Sequence, residues 1–207
     1  MVMLSKLSRF EVCDENGECA RLTDLSVALL DSDYPPVTYL FYESNKKSMR
    51  LPWKAVRSID WRKRQIKVAD LAQASEVLLE PSKDYVLLRH QILDALVLDL
   101  QNRRAVRAND LQLEEVDGQL QLKAADASGN AILRRISFGL YNHVAEHGLY
   151  DWKYVEFLRG NPQAVRNGAG YHLRCSVDNC SIYLEFSFLA AKDLQGKNFS
   201  VGVFCLK

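Results

Sequence analysis

Short runs in which apolar and polar residues alternate, separated by turn residues, fill the first part of the chain. Phe10 to Cys13 and Glu18 to Leu22 alternate on either side of a polar turn, where Gly17 can take the positive φ that a tight turn requires. Leu25 to Leu30 and Val37 to Tyr42 are rich in β-branched, aromatic and other apolar residues and predict further strands. Two more alternating runs follow, at Val56 to Asp60 and Gln65 to Val68. Six short strands at this spacing predict a small β-barrel.

A strand-turn-strand phrase occurs twice in the chain, about 85 residues apart. The first copy reads Val12-x-Asp14-x-x-Gly17 and then Asp24-Leu25-x-Val27, and the second reads Val97-x-Asp99-x-x-Asn102 and then Asp110-Leu111-x-Leu113. Such an internal repeat indicates that one small β unit was duplicated. For 207 residues we therefore expect two small units in tandem, of roughly 70 to 80 residues each, rather than one large domain.

The second copy continues the strand pattern and then changes to helical spacing. Alternating runs on both sides of Asp117-Gly118 predict a tight turn at Gly118. Beyond Gly129 apolar residues recur at helical intervals, and Asp151 to Leu158 is expected to continue this helical region. From about Gly168 the sequence has high β propensity, which is typical of a late strand pair or of an aggregation-prone tail.

Composition and charge limit the classes of function. With 48% apolar and 26% charged residues, the chain has the composition of an ordinary soluble globular protein. Its 27 basic and 26 acidic side chains leave a formal charge of +1, which gives no general attraction to nucleic acid or anionic lipid. No stretch is long and apolar enough for a spanning helix, and no signal core follows the N-terminus. We therefore expect a cytoplasmic protein without membrane insertion.

The five cysteines are an odd number with no CxxC spacing. In a reducing compartment they are expected to be small buried or half-buried thiols rather than a disulfide framework or a zinc site. One alternative remains open, since Cys13 and Cys19 flank the first turn and could face each other across the hairpin.

Several phrases occur in order within residues 4 to 70: Phe10 to Gly17, Asp24-Leu25, Val37 to Leu40, Leu51-Pro52-Trp53 and Ile66 to Val68. Together they resemble the PRC-barrel family. The resemblance implies a small six-stranded β-barrel that works through protein contacts rather than catalysis. A proline can begin or edge a strand and a tryptophan buries a large area in a small barrel, so Pro52 and Trp53 are expected to be structural, as are Gly17, Gly118 and Trp152.

Further motifs make the resemblance more specific: Val86 to Arg89, Ala105 to Gly118, Leu133 to Arg135 and Asp151 to Glu156. They look like bacterial proteins that join two PRC-barrel-like units to the intracellular N-terminal domain of MgtE magnesium transporters, over residues up to about 166. The resemblance implies a mainly β chain with a first barrel at 4–71, a second, shorter barrel unit at 84–136, a helical lead-in at 137–166 and an unassigned tail at 167–207.

The tail departs from that pattern, because the relatives continue into a helical domain and this chain does not. We hypothesise that the gene is truncated or has a shifted reading frame. On that hypothesis, magnesium would be sensed only through domains absent from this chain.

The sequence offers two candidate sites, one for metal binding and one for contact with a partner. His143 and His147 fit the H-x-x-E-H arrangement of a helical zinc site, although no distal ligand accompanies them and a solvated helix face is the favoured reading. The Tyr34-Pro35-Pro36 loop and the basic turn of Arg62, Lys63 and Arg64 are the expected interaction surface, because rigid strands can hold such loops.

The sequence therefore predicts a non-enzymatic, cytoplasmic interaction or regulatory module that binds a protein partner, is linked to magnesium transport or its regulation, and holds no cofactor. The alternative is an RNA- or ribosome-associated factor resembling the PRC-barrel domain of ribosome maturation factors, although near-zero net charge speaks against nucleic acid. A metal-dependent hydrolase built on His143 and His147 is the third reading.

Overall fold

The structure is a computed structural model that describes residues 1–29, 32–79, 82, 84–137 and 148–157, and the strand backbones 171–178, 181–188 and 198–203. The prediction of a mainly β chain is confirmed. The strands and helices are, in chain order, β1 (Val2–Met3), α1 (Leu4–Leu7), β2 (Glu11–Cys13), β3 (Cys19–Val27), β4 (Val37–Ser44), β5 (Lys47–Pro52), β6 (Val56–Asp60), β7 (Gln65–Val68), β8 (Ser75–Glu76), β9 (Val86–Leu87), β10 (Leu96–Asp99), β11 (Arg104–Arg107), β12 (Asp110–Val116), β13 (Gln119–Asp126), α2 (Gly129–Ile136), β14 (Leu149–Asp151), β15 (Val155–Phe157), β16 (Tyr171–Asp178), β17 (Ser181–Phe188) and β18 (Asn198–Val203).

The chain divides into two compact units. The first comprises residues 1–97 and 106–155, and the second comprises residues 98–105 and 156–207. The first unit contains most of both copies of the repeated phrase. No helix within the described ranges is long and apolar enough to cross a membrane.

The largest sheet has the strand order β6-β7-β2-β3-β4-β5-β8, and β9 pairs with β3 outside this path. Neighbouring strands are antiparallel except β2 and β7, which run parallel. The strand β3 is long and irregular, with register shifts between Leu22 and Asp24 and between Ser26 and Val27. These irregularities allow its two ends to pair with different strands.

The expected closed barrel does not form in the described part of the chain, where every sheet is open. Two smaller sheets accompany the large one, with the orders β1-β12-β13-β14 and β11-β10-β15. The local alternation predicted most of these strands, although the runs that begin at Glu18 and at Leu25 form one strand, β3. The large sheet ends at β6 and β8, which do not pair with each other, so it stays open.

The two copies exchange their leading segments. The strand β1 precedes the first copy but pairs with β12 of the second, with Val2 opposite Leu113. The strand β9 precedes the second copy but pairs with β3 of the first, with Val86 opposite Val27. Each copy is therefore completed by the segment that leads into the other.

A buried aspartate anchors each exchanged segment. The Asp24 carboxylate accepts hydrogen bonds from the backbone N–H of Arg89 at 2.8 Å and of His90 at 3.1 Å, at the start of a π-helical turn. Its counterpart Asp110 accepts from the N–H of Ser5 at 3.1 Å and from the Ser5 Oγ at 2.6 Å, in α1. Burial raises the pKa of both carboxyl groups, and these hydrogen bonds oppose the rise.

The expected helix over Asp151 to Leu158 is wrong for its described residues. Leu149–Asp151 is a strand paired with β13, Trp152–Tyr154 is a 3₁₀ turn, and Val155–Phe157 is a strand. The segment repeats the first copy, where Trp53 also begins a 3₁₀ turn after a strand, and both tryptophans are buried. Two short strands on either side of a turn happen to place apolar residues three and four positions apart, which is the spacing that a helix also gives.

The helix α2 forms where the helical spacing begins. The Ser128 Oγ caps it by accepting a hydrogen bond from the N–H of Ala131 at 3.3 Å. The remainder of the expected helical segment, residues 138–147, lies outside the described residues.

The described backbone of the second unit includes three antiparallel strands in the order β16-β17-β18. The sequence left the tail open between a late strand pair and an aggregation-prone segment, and its described backbone forms these three strands. A turn in residues 98–105 repeats the chemistry of the first hairpin. The Asp99 carboxylate accepts from the N–H groups of Gln101 and Asn102, as the Asp14 carboxylate accepts from those of Asn16 and Glu18.

Candidate anion-binding site

A cavity of about 650 Å³ in the first unit is lined by six arginines and a single acidic residue, Asp94. The arginines come from six separate parts of the chain: Arg9 after α1, Arg21 in β3, Arg64 between β6 and β7, Arg89 in the π-helical turn, Arg107 at the end of β11 and Arg135 in α2. An arginine is charged at every physiological pH and carries five N–H donors in a planar fork. The lining therefore has a net of five positive charges, although the whole chain has a formal charge of only +1.

One of the six arginines is neutralised inside the site. The Arg135 guanidinium donates to both oxygens of Asp94, at 2.6 and 2.7 Å, and to the carbonyl of Asn109 at 3.2 Å. The hydrogen bond from Arg135 lowers the pKa of the Asp94 carboxyl, so this residue stays ionised at neutral pH. The pair fixes one wall of the cavity.

The other five arginines form no ion pair with any described residue. Arg89 makes a long contact of 3.5 Å from Nη1 to the carbonyl of Thr23. Arg64 has a φ of 56°, and its carbonyl accepts from the N–H of Glu11 at 3.0 Å, which fixes its backbone at the rim. Arg21 lies opposite Glu11 and Glu43 in the sheet without pairing with either. Five guanidinium groups are therefore left to bind a ligand.

Apolar side chains complete the lining. Leu4 and Leu93 contribute to it, together with Ile132 and Ile136 of α2, which are 46% and 62% exposed. The cavity thus offers positive charge beside apolar surface, which suits a ligand that has both acidic and apolar groups.

The orientation of α2 is set by its buried side. Arg134 is almost fully buried and pairs with Asp126 and, at 3.4 Å, with Asp110. Because consecutive helical residues lie about 100° apart, this anchor leaves Arg135 and the two isoleucines to line the cavity.

Of the expected interaction surface, only Arg64 lines the cavity. Arg62 and Lys63 are exposed, and their backbone N–H groups donate to the Asp60 carboxylate at 3.1 and 2.9 Å. The hydrogen bond from the N–H of Lys63 lowers the pKa of Asp60. The two side chains remain a basic surface outside the site.

The loop Tyr34-Pro35-Pro36 is attached to the second copy. The Tyr34 hydroxyl donates to Asp151 at 3.1 Å, and the Lys123 ammonium lies 3.8 Å from the centre of the tyrosine ring. The Pro35 carbonyl accepts from the N–H of Leu122 at 3.0 Å, and Pro36 bridges to β13. The hydrogen bond to Asp151 raises the pKa of Tyr34. The loop therefore joins the copies, and its role as an interaction surface stays a prediction.

The expected structural residues occupy turns and buried positions. Gly17 and Gly118 have φ angles of 87° and 76°, in the left-handed region that favours glycine. Trp53 is buried and donates from Nε1 to the carbonyl of Gly118 at 3.3 Å, with Pro52 preceding it at the end of β5. His143 and His147 lie outside the described residues.

The cysteine prediction is wrong for one pair, because Cys13 and Cys19 form a disulfide across the first hairpin. They are directly opposite each other in β2 and β3, with their Cα atoms 4.1 Å apart. The open alternative, in which the two face each other, is the arrangement found.

Sequence reasoning missed five of the six lining arginines, because they are scattered from residue 9 to residue 135. One signal was present. Arg21 and Arg107 each stand three residues before the anchoring aspartate, in the repeated phrase Arg-x-x-Asp-Leu. Both copies thus contribute the same arginine to one cavity.

Comparison of the chain with protein-family models gives no match, and comparison with curated proteins gives none either.

Proposed function

We propose that this protein is a non-enzymatic binding module that recognises an acidic segment of a partner protein in its arginine-lined cavity. The observation that carries the proposal is the convergence of five arginines without ion pairs, two of them from equivalent positions of the two copies. Carboxylates are the natural ligands, because the guanidinium fork matches their two oxygens.

The five arginines repel one another, and an acidic ligand bound between them would offset this electrostatic repulsion. Two like charges about 8 Å apart in a water-like medium repel by roughly 0.5 kcal/mol, and several such pairs add up. The Asp94 carboxylate forms its ion pair with Arg135, and its charge also acts on Arg107, so a single acidic group serves the whole lining. Charge clustering of this kind is typical of sites that bind the opposite charge.

The character of the lining supports a protein segment rather than nucleic acid. Single-stranded RNA is bound by stacking its bases on aromatic side chains, and none of the described lining residues is aromatic. The exposed Ile132 and Ile136 instead offer contacts for leucine-like side chains of an acidic amphipathic segment. RNA binding is the alternative that the experiment below distinguishes.

The chemistry of the lining also supports a non-catalytic role. Arginine does not exchange its proton near neutral pH, and Asp94 is a weakened base because Arg135 lowers its pKa. The described residues around the cavity thus offer binding groups rather than an acid and base pair.

The wider role that we propose is regulation next to magnesium transport in the cytoplasm, as the resemblance to tandem PRC-barrel proteins implies. The duplicated β architecture with a buried tryptophan in each copy supports this proposal. The acidic segment would belong to the transporter-like partner, and magnesium itself would be bound there.

The test is a binding titration with a fluorescent peptide of glutamates and leucines. The variant Arg21→Gln/Arg107→Gln removes one charge from each copy inside the cavity. The matched control Arg62→Gln/Lys63→Gln removes two charges from the exposed turn. We expect the cavity variant to weaken binding by about tenfold or more, because hydrogen bonds between charged groups contribute about 1.5 to 3 kcal/mol each. The control should bind as the unmodified protein does.

Equal losses in both variants would refute the cavity as the site. Single-stranded RNA is added as a competitor. If the protein binds RNA and not the peptide, the alternative function replaces the one proposed.

A further inference from the structure

The first hairpin places three side chains with metal-binding atoms on one face. Glu11 and Cys13 are two residues apart in β2 and therefore point to the same side of the sheet. Cys19 lies directly opposite Cys13 in β3. The ligand atoms of the three residues all lie within 4.8 Å of one another.

We propose that, once the Cys13–Cys19 disulfide is reduced, the two thiolates and the Glu11 carboxylate form a Zn²⁺ site. Two thiolates and a carboxylate are a ligand set that zinc accepts in tetrahedral geometry, with water in the fourth position. The proposal is independent of the anion-binding function, because neither the ligands nor the test involves an acidic partner.

The distances fit this coordination. Zinc–sulfur bonds of about 2.3 Å place two tetrahedral sulfurs roughly 3.8 Å apart. Cysteines opposite each other with Cα atoms 4.1 Å apart reach that separation by rotating their side chains, without moving the strands. Glu11, two pairs further along the ladder and on the same face, can reach the same ion by rotation of its longer side chain.

The exposure of the hairpin gives the reactants access. Cys19 and Glu11 are exposed and Cys13 is buried behind them. A dithiol reductant therefore attacks the sulfur of Cys19. The reductant loses two electrons and two protons and becomes a disulfide, while Cys13 and Cys19 become thiols. Zinc binding then releases the two thiol protons to solvent.

The neighbouring charges balance the site. Lys67 lies beside Cys13 in the parallel strand β7. Three anionic ligands and one Zn²⁺ ion leave a single negative charge, which the Lys67 ammonium compensates. This cation also favours the thiolate form that binds metal.

The test uses the full chain without a histidine tag, reduced and freed of metal, and titrated with Co²⁺ as a spectroscopic substitute for zinc. We expect one Co²⁺ per chain, a thiolate-to-cobalt charge-transfer band in the near ultraviolet, and displacement of the band by Zn²⁺. The oxidised protein should give no band. The variants Cys13→Ser and Cys19→Ser should each lose one thiolate and much of the band.

Glu11→Gln keeps both thiols and is the variant that isolates the carboxylate. It should retain the band but weaken Co²⁺ binding by about tenfold or more. The matched control Glu15→Gln, in the exposed turn of the same hairpin, should bind normally. His143→Ala/His147→Ala should also leave the band unchanged.

Any of three results overturns the proposal. One is the absence of the band from the reduced protein, and another is its full persistence in Cys19→Ser, which would assign it to Cys175, Cys180 or Cys205. The third is equal affinity in Glu11→Gln and Glu15→Gln.

Discussion

Asp24 and Asp110 each accept several hydrogen bonds, and both residues are almost completely buried. Each accepts hydrogen bonds from the exchanged segment and from the N–H of the leucine that follows it. Burial nevertheless dominates and raises the pKa of both groups above 3.8. At these two residues the need to hold a segment conflicts with the cost of burying a charge.

This conflict predicts a pH dependence of stability. A carboxyl group whose pKa is higher in the folded state stabilises the fold fully below the unfolded pKa of about 3.8, and this contribution is lost as the pH rises through the folded pKa. The free energy of unfolding should therefore fall over that window, and the fall should be smaller in Asp110→Asn. Urea unfolding at a series of pH values measures it.

The exposed Asp117→Asn serves as the control for that series, since it removes a carboxyl group at the surface of a hairpin turn. An Asp110→Asn profile parallel to that of the unmodified protein would contradict the assignment.

At the scale of single elements, the exchanged segments are very short, so side-chain anchors matter more than strand pairing. The strand β1 contributes only two paired residues, and α1 is a single turn. A helix this short does not persist by its own backbone hydrogen bonds. The contact from α1 to Asp110 is therefore a main reason why the leading segment stays on the other copy.

Ser5→Ala tests this contact. It removes the Oγ donor to Asp110, which lies at 2.6 Å, and leaves the backbone donor in place. Because the acceptor is a buried carboxyl, we expect a loss of about 1.5 to 3 kcal/mol in the free energy of unfolding, measured with urea at neutral pH. The exposed Ser58→Ala in β6 should change it by less than about 0.5 kcal/mol. Similar values for the two variants would mean that α1 is held by other contacts.

Elements specified by local chemistry could be predicted from the sequence. The hairpin turns follow from Gly17 and Gly118, and α2 begins after the capping Ser128. The turn and strand over Trp152 to Phe157 could not be separated from helix by spacing alone. Val155–Phe157 is a strand because it pairs with β10, which is distant in sequence.

At the scale of the whole molecule, duplication places equivalent residues on one site. Arg21 and Arg107 precede the two anchoring aspartates and both reach the cavity, while Arg9, Arg64 and Arg89 belong to only one copy each. The repeated phrase was visible in the sequence, but the cavity was not. Its location depends on the exchange of β1 and β9, which no local pattern encodes.

The exchange predicts how the first copy behaves when it is cut from the chain. A fragment of residues 1–79 keeps β1 and α1 but lacks β9 and the π-helical turn, which cover β3 in the intact protein. In the intact protein β1 pairs with β12 of the second copy, which this fragment also lacks. Two fragments can complete each other, with Ser5 of one donating to Asp24 of the other in place of Arg89.

We therefore expect the 1–79 fragment to sediment as a dimer, and the 1–157 fragment, which holds both copies, to be a monomer. Asp24→Ala should weaken the 1–79 dimer, because it removes the acceptor on which the exchanged segment depends. Analytical ultracentrifugation over a range of concentrations, with circular dichroism to report folding, measures both. A folded monomer of 1–79 would show that one copy is complete by itself and that the exchange is not required for the fold.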